Sequence, residues 1–102
     1  MPRGQNYTTS EFYCVNCSNK GIPIIRKPGH QREPGHLKKL YCLHCGQECN
    51  FVEIRPFGDY KYEDFLLEYE YGNFDKEGNR IIPYRQFLAK LREESELMNN
   101  DE

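Results

Sequence analysis

Tyr13-Cys14-Val15-Asn16-Cys17 and Tyr41-Cys42-Leu43-His44-Cys45 are two near-identical turns of one chain, and their pairing decides how the rest is read. A CxxC turn presents both sulfurs to one metal ion while nearby backbone N–H groups stabilise the thiolate charge. Two such turns complete a closed tetrahedral shell. The sequence therefore predicts one structural Zn²⁺ held by Cys14, Cys17, Cys42 and Cys45, with iron or a redox role as the alternatives a four-thiolate set leaves open. The gap between the pairs, residues 18–41, is 24 residues long. It exceeds the usual spacing of about 15–20 by roughly the size of an insert, PGHQREPGH at residues 28–36.

A metal staple suits the composition. The chain has 102 residues, of which 37% are hydrophobic, and a mean hydropathy of −0.91, so one small core is expected and needs support. Five cysteines with no apolar leader after Met1 argue for metal ligation in a reducing, cytoplasmic setting over a secreted disulfide scaffold. No run approaches the roughly 18 apolar residues of a membrane span. The net charge of −2 hides an asymmetry: residues 1–46 carry seven Lys or Arg against two acids, a net +5, and residues 47–102 carry seven against fourteen, a net −7.

The fold expected is small α+β, with two zinc-knuckle β-hairpins followed by two amphipathic helices. It divides into a flexible arm at residues 1–10, a ribbon at 11–56 and an acidic helical extension at 57–102. Short strands are expected at 11–13, 22–27, 37–41 and 49–55; Pro23 confines the second to an edge, and Pro56 ends the last. Gly21 and Gly46 stand where each knuckle must turn tightly. Asp59 as N-cap, the spacing of Tyr62, Phe65, Leu66 and Tyr69, and Gly72 as a stop predict a helix over 60–71. A second helix follows with Pro83 in its first turn and a stripe of Tyr84, Phe87, Leu88, Leu91 and Met98.

The order knuckle, hairpin, knuckle, hairpin over residues 11–56 resembles the zinc ribbon, a small β-module of transcription factors, RNA polymerase subunits, ribosomal proteins and phage proteins. The stretch HLKKLYCLHC followed by FVEIRP is similar to small zinc-ribbon proteins of phages and Gram-positive bacteria. That likeness implies a fold and no particular activity.

Other ligand candidates read more plainly. Cys49, four residues after Cys45, is expected as a small buried side chain before it is a ligand. His44 reads as a surface contact, and His30 and His36 would need the 28–36 loop to fold around them. Asn73, Asp75, Glu77 and Gly78 imitate a calcium loop, but the eighth position is Arg80 and the twelfth Tyr84, where an apolar residue and a bidentate Glu belong.

Two functions remain in view. Lys20, Arg26, Lys27, Arg32, Lys38 and Lys39 form a basic stripe suited to phosphates, with Tyr13 and Tyr41 as stacking faces. This points to a non-catalytic adaptor contacting nucleic acid or transcription machinery. Alternatively, the acidic helices, bearing Glu63, Asp64, Glu68, Glu70, Glu93, Glu94 and Glu96, dock on a protein through Tyr62, Phe65, Tyr69 and Phe87, as a binding or inhibitory module. No catalytic residues are assigned, because a closed thiolate site cannot activate water and no nucleophile or phosphate-loop motif is present.

Overall fold

The computed structural model describes residues 7–26, 35–56 and 58–99, with side-chain surroundings as far as residue 94. Its order is β1 (Thr8–Cys14), β2 (Ile24–Arg26), β3 (Leu37–Cys42), β4 (Gln47–Ile54), α1 (Tyr62–Glu70) and α2 (Tyr84–Asn99). The strands form one antiparallel sheet in the order β2-β1-β4-β3. Each CxxC turn closes one hairpin, and β1 pairing with β4 joins the two, with Tyr13 opposite Val52 and Cys14 opposite Phe51.

Alternation along the strands sends successive side chains to opposite faces, and here both faces are used. Phe12, Cys14, Cys42, Cys49 and Phe51 cluster on one face, with Ile24 and Leu40 against them. Val15, Val52, Tyr60 and Phe65 cluster on the other, with Tyr13, Leu37, Ile54, Leu66, Tyr69, Phe74 and Tyr84 around them. The first face carries the cysteines. The second receives the helices.

Helix α1 therefore packs on the ribbon: the Tyr13 ring lies 4.7 Å from Tyr62 and 5.7 Å from Phe65. The boundary expected at 56/57 does not coincide with a break in packing, since the second cluster draws on residues from both sides of it. Asn50 Nδ2 donates to the Gly78 carbonyl at 2.8 Å, fastening the turn between the helices to β4.

The N-cap of α1 is Lys61, two residues after the expected Asp59. Lys61 takes extended backbone angles, and its N–H donates to Asp64 Oδ2 at 2.7 Å, which fixes the first turn without Asp59. The stop is as expected at Gly72, at φ +75. Gly72 N–H reaches Tyr69 O at 3.4 Å and Asn73 N–H reaches Glu68 O at 2.8 Å, the two bonds of a Schellman closure. Pro83 stands just before α2, its carbonyl accepting from Phe87 N–H at 3.0 Å.

Glu68 departs from the reading of α1 as an acidic outer face. It is fully buried, and its carboxylate accepts from Tyr60 Oη at 2.5 Å, Asn73 Nδ2 at 2.6 Å and both Nε and Nη2 of Arg80 at 2.7 and 2.9 Å. Burial and then the adjacent Glu68 carboxylate raise the Tyr60 phenol well above its ordinary range. Arg80 also donates Nη1 to the Gly35 carbonyl at 2.8 Å, so one guanidinium ties α1 to the start of β3.

Candidate metal centre

The two knuckles are built alike. The residue after the second cysteine closes each turn, with Ser18 N–H to Cys14 O and Gly46 N–H to Cys42 O, both at 2.8 Å. Both closing residues have positive φ, 63 for Ser18 and 71 for Gly46. In the first knuckle the left-handed residue is thus Ser18 rather than Gly21. Gly21 is needed for space instead, because a Cβ there would lie 2.7 Å from the Phe51 ring.

The turns aim N–H groups at sulfur. Asn16 N–H lies 3.4 Å from Cys14 Sγ, Cys45 N–H lies 3.4 Å from Cys42 Sγ, and Asn16 Nδ2 lies 3.2 Å from Cys45 Sγ. Such donors favour the charged thiolate that a metal requires.

Cys14 Sγ is 4.0 Å from Cys45 Sγ, and Cys17 Sγ is 3.6 Å from Cys42 Sγ. A tetrahedral ion with metal–sulfur bonds of ~2.3 Å needs sulfurs ~3.8 Å apart. Both cross-knuckle distances are close to one edge of such a shell. Cys14, Cys42, Cys45 and Cys49 lie with all sulfurs within 4.8 Å of one another and could hold a metal ion. Cys49 is thus both the buried side chain expected and a member of the thiol group. Cys17, expected as a ligand, is outside that group, although its Sγ lies 3.6 Å from Cys42 Sγ.

Burial pushes the Cys14 and Cys49 thiols up. Burial also acts to raise Cys17, but hydrogen bonds from the Asn19 backbone and side chain, then from Cys42 and Cys14, outweigh it and bring this thiol to about 7. Metal binding would displace the protons that burial otherwise retains. No pair of the five is joined as a disulfide.

The remaining expectations sort by position. His44 is exposed and outside the thiol group, and His36 sits at the start of β3 with its carbonyl accepting from Glu53 N–H at 2.8 Å. Lys27, His30 and Arg32 lie outside the described residues. Arg26 is turned inward: Nε and Nη2 each donate to Glu53 at 3.0 Å, and its guanidinium lies 5.7 Å from the Phe12 ring centre. Glu53 is buried and also accepts from Ser10 Oγ at 2.6 Å. This leaves Arg26 occupied within the fold and not presented to a phosphate.

Lys20 pairs with Glu11 at 3.1 Å with both side chains about half exposed, a contact worth at most ~1 kcal/mol and easily exchanged. Lys38 is half-buried and Lys39 exposed. Of the docking residues expected on the helices, Phe65 and Phe87 are buried and hold the helices in place, Tyr69 is half-buried, and Tyr62 is 40% exposed against Tyr13. In the calcium-like loop, Asp75 Oδ1 accepts from Glu77 and Asn79 N–H, both at 2.9 Å, and Asn73 is committed to Glu68 and the Ile82 backbone.

No family model matches the chain, and neither the curated proteins nor the solved structures compared with it give a match. Among the described residues no helix is long and apolar enough to cross a membrane.

Proposed function

We propose that this protein is a non-catalytic zinc-ribbon adaptor whose metal clamp stiffens an edge strand that contacts nucleic acid. The observation that carries the reading is the pair Lys39 and Tyr41 on β3. They are two residues apart and so share one face of the last strand of the described sheet, and both are exposed. Tyr41 is 60% exposed, whereas Tyr13 is packed against Tyr62 and Phe65, so Tyr41 is the ring left for a base to stack on. The footprint is narrower than the basic stripe of the sequence: among the described residues Lys39 shares the Tyr41 face, Lys38 projects from the other face of the same edge strand, Lys20 lies across the sheet beside Tyr13, and Arg26 is taken up by Glu53. Four thiolates favour Zn²⁺, which would be structural, since a closed shell has no position for water.

The test is fluorescence anisotropy with labelled single- and double-stranded oligonucleotides at two salt concentrations. Binding at low salt should weaken as salt rises. Tyr41→Ala should weaken single-strand binding by about 1–3 kcal/mol. No binding at low salt, or binding indifferent to Lys38→Ala with Lys39→Ala, defeats the reading.

The second reading, a protein-binding or inhibitory module, rests on the surface left beside α2. Tyr71 is 64% and Ile81 58% exposed, and with Ile82 and Leu91 they line a groove flanked by Lys90 and Glu94. Nucleic-acid binding that survives Tyr71→Ser with Ile81→Ser, and is lost with the β3 changes, separates the two readings.

A further inference from the structure

We propose that the site has two alternative four-thiol shells sharing Cys14, Cys42 and Cys45, and that Cys49 is a reserve ligand that takes the metal over when Cys17 leaves it. The inference rests on the metal-binding reading above and specifies which thiols can do the binding.

Five thiols stand where four are needed. Cys17 Sγ lies 3.6 Å from Cys42 Sγ, and Cys49 Sγ lies within 4.8 Å of all three shared sulfurs, so both extra positions border the common trio. With Cys49 the trio already forms a set in which no two sulfurs are more than 4.8 Å apart. Tightening those distances to the ~3.8 Å of a tetrahedral edge takes a shift of about 1 Å or less. Side-chain rotation supplies it, because Cys49 belongs to β4, paired opposite Leu40, and its backbone is fixed by the ladder. The Cys49 thiol donates to the Gln47 carbonyl at 3.7 Å, a weak contact and a poor competitor for the metal.

The two candidates differ in access. Cys17 is half-buried on the knuckle rim, and Cys49 is 8% exposed beneath Phe51 and Leu40 in the first core cluster. A reagent reaching the site meets Cys17 before Cys49. In an ordinary four-cysteine site the loss of one thiol opens a coordination position. Here the fold keeps a fourth sulfur behind the other three, so the shell can close again without water.

The test uses full-length protein loaded with Co²⁺, whose thiolate charge-transfer and ligand-field bands report how many sulfurs are bound, together with elemental analysis. Wild type, Cys17→Ala and Cys49→Ala should each hold one ion with a four-thiolate spectrum. The double variant should show a three-thiolate spectrum and an affinity at least tenfold below that of Cys17→Ala. A three-thiolate spectrum in Cys17→Ala alone, or loss of its metal for any reason including failure to fold, overturns the reserve role. So does a three-thiolate spectrum in Cys49→Ala, which would make Cys49 the resident ligand. Wild-type protein that takes up no metal instead defeats the metal-binding reading itself.

Discussion

Replacing Arg80 by Met is the sharpest probe of how the helical half is held. The guanidinium contributes two N–H bonds to Glu68, at 2.7 and 2.9 Å, and one to the Gly35 carbonyl at 2.8 Å. Its charge is what makes a carboxylate with no exposure tolerable. Removing one partner of a buried ion pair costs about 3–5 kcal/mol, because the other charge stays buried and uncompensated. A domain of this size has roughly 5–15 kcal/mol in total, so Arg80→Met should take away about a fifth of it or more. The assay is urea unfolding followed by circular dichroism at fixed, saturating metal, since free metal concentration otherwise shifts the apparent stability. Glu68→Gln in the Arg80→Met background should recover about 1 kcal/mol or more, because the amide keeps an acceptor for the Tyr60 hydroxyl while removing the orphaned charge. An Arg80→Met cost below about 1 kcal/mol, or a further loss on adding Glu68→Gln, would refute the assignment of this pair as the fastening between α1 and β3.

Metal removal should unfold the ribbon: a strong chelator, or Ser at Cys14, Cys42 or Cys45, should abolish the cooperative transition, since structural zinc supplies on the order of 10 kcal/mol of apparent free energy; a chelated protein that keeps its transition contradicts this. Glu53 should make stability depend on acid. Burial tends to raise its pKa, but the Arg26 and Ser10 hydrogen bonds and the Arg26 and Arg55 charges outweigh it and hold the carboxyl below its ordinary value. The folded pKa being the lower one, the carboxylate adds stability above the unfolded value of about 4.3 and loses it as pH falls through the folded value. The stability gap between wild type and Glu53→Gln, with metal held saturating, should therefore be widest near neutrality and shrink below about pH 4.3. A gap constant across that range counts against the pair.

What the sequence made legible follows from what is local or periodic. The CxxC turns, the four strands and both helices were readable because each is signalled within a few residues, by ligand spacing, alternation or a stop at Gly72. The charged contacts were not. Arg26 and Glu53 are 27 residues apart, and Arg80 and Gly35 are 45 apart, so a basic stripe and an acidic face in the sequence conceal side chains that are consumed by pairing inside the fold. Glu68 did carry one signal: it lies three residues after Phe65, hence on the same helix face as a core position, and an acid there calls for a buried partner. Cys49 reads as an ordinary buried residue because a lone cysteine at the start of a strand is usually a small buried side chain. Only the β3–β4 register, which sets Leu40 opposite Cys49, shows that its face is that of Cys42 and Cys14.

Strand β4 is where the two halves of the protein depend on each other. Cys49, Phe51 and Glu53 face the thiols and the Arg26 pair, while Asn50, Val52 and Ile54 face the helices and the Gly78 turn. One-residue alternation thus places a thiol cluster and a helix-packing surface back to back on the same backbone. Slipping β4 by one residue would carry Cys49 away from the other thiols and Val52 away from Tyr13 and Phe65 together, so a single register serves both faces. The helices cannot then be a neutral appendage to the sheet: they cover Val52, which is fully buried, and the turn at residues 42–46 from which β4 begins carries two of the clustered thiols. The exposed edge that results, β3 with Lys39 and Tyr41, is held from one side by the turn at residues 42–45 and from the other by Arg80 at Gly35.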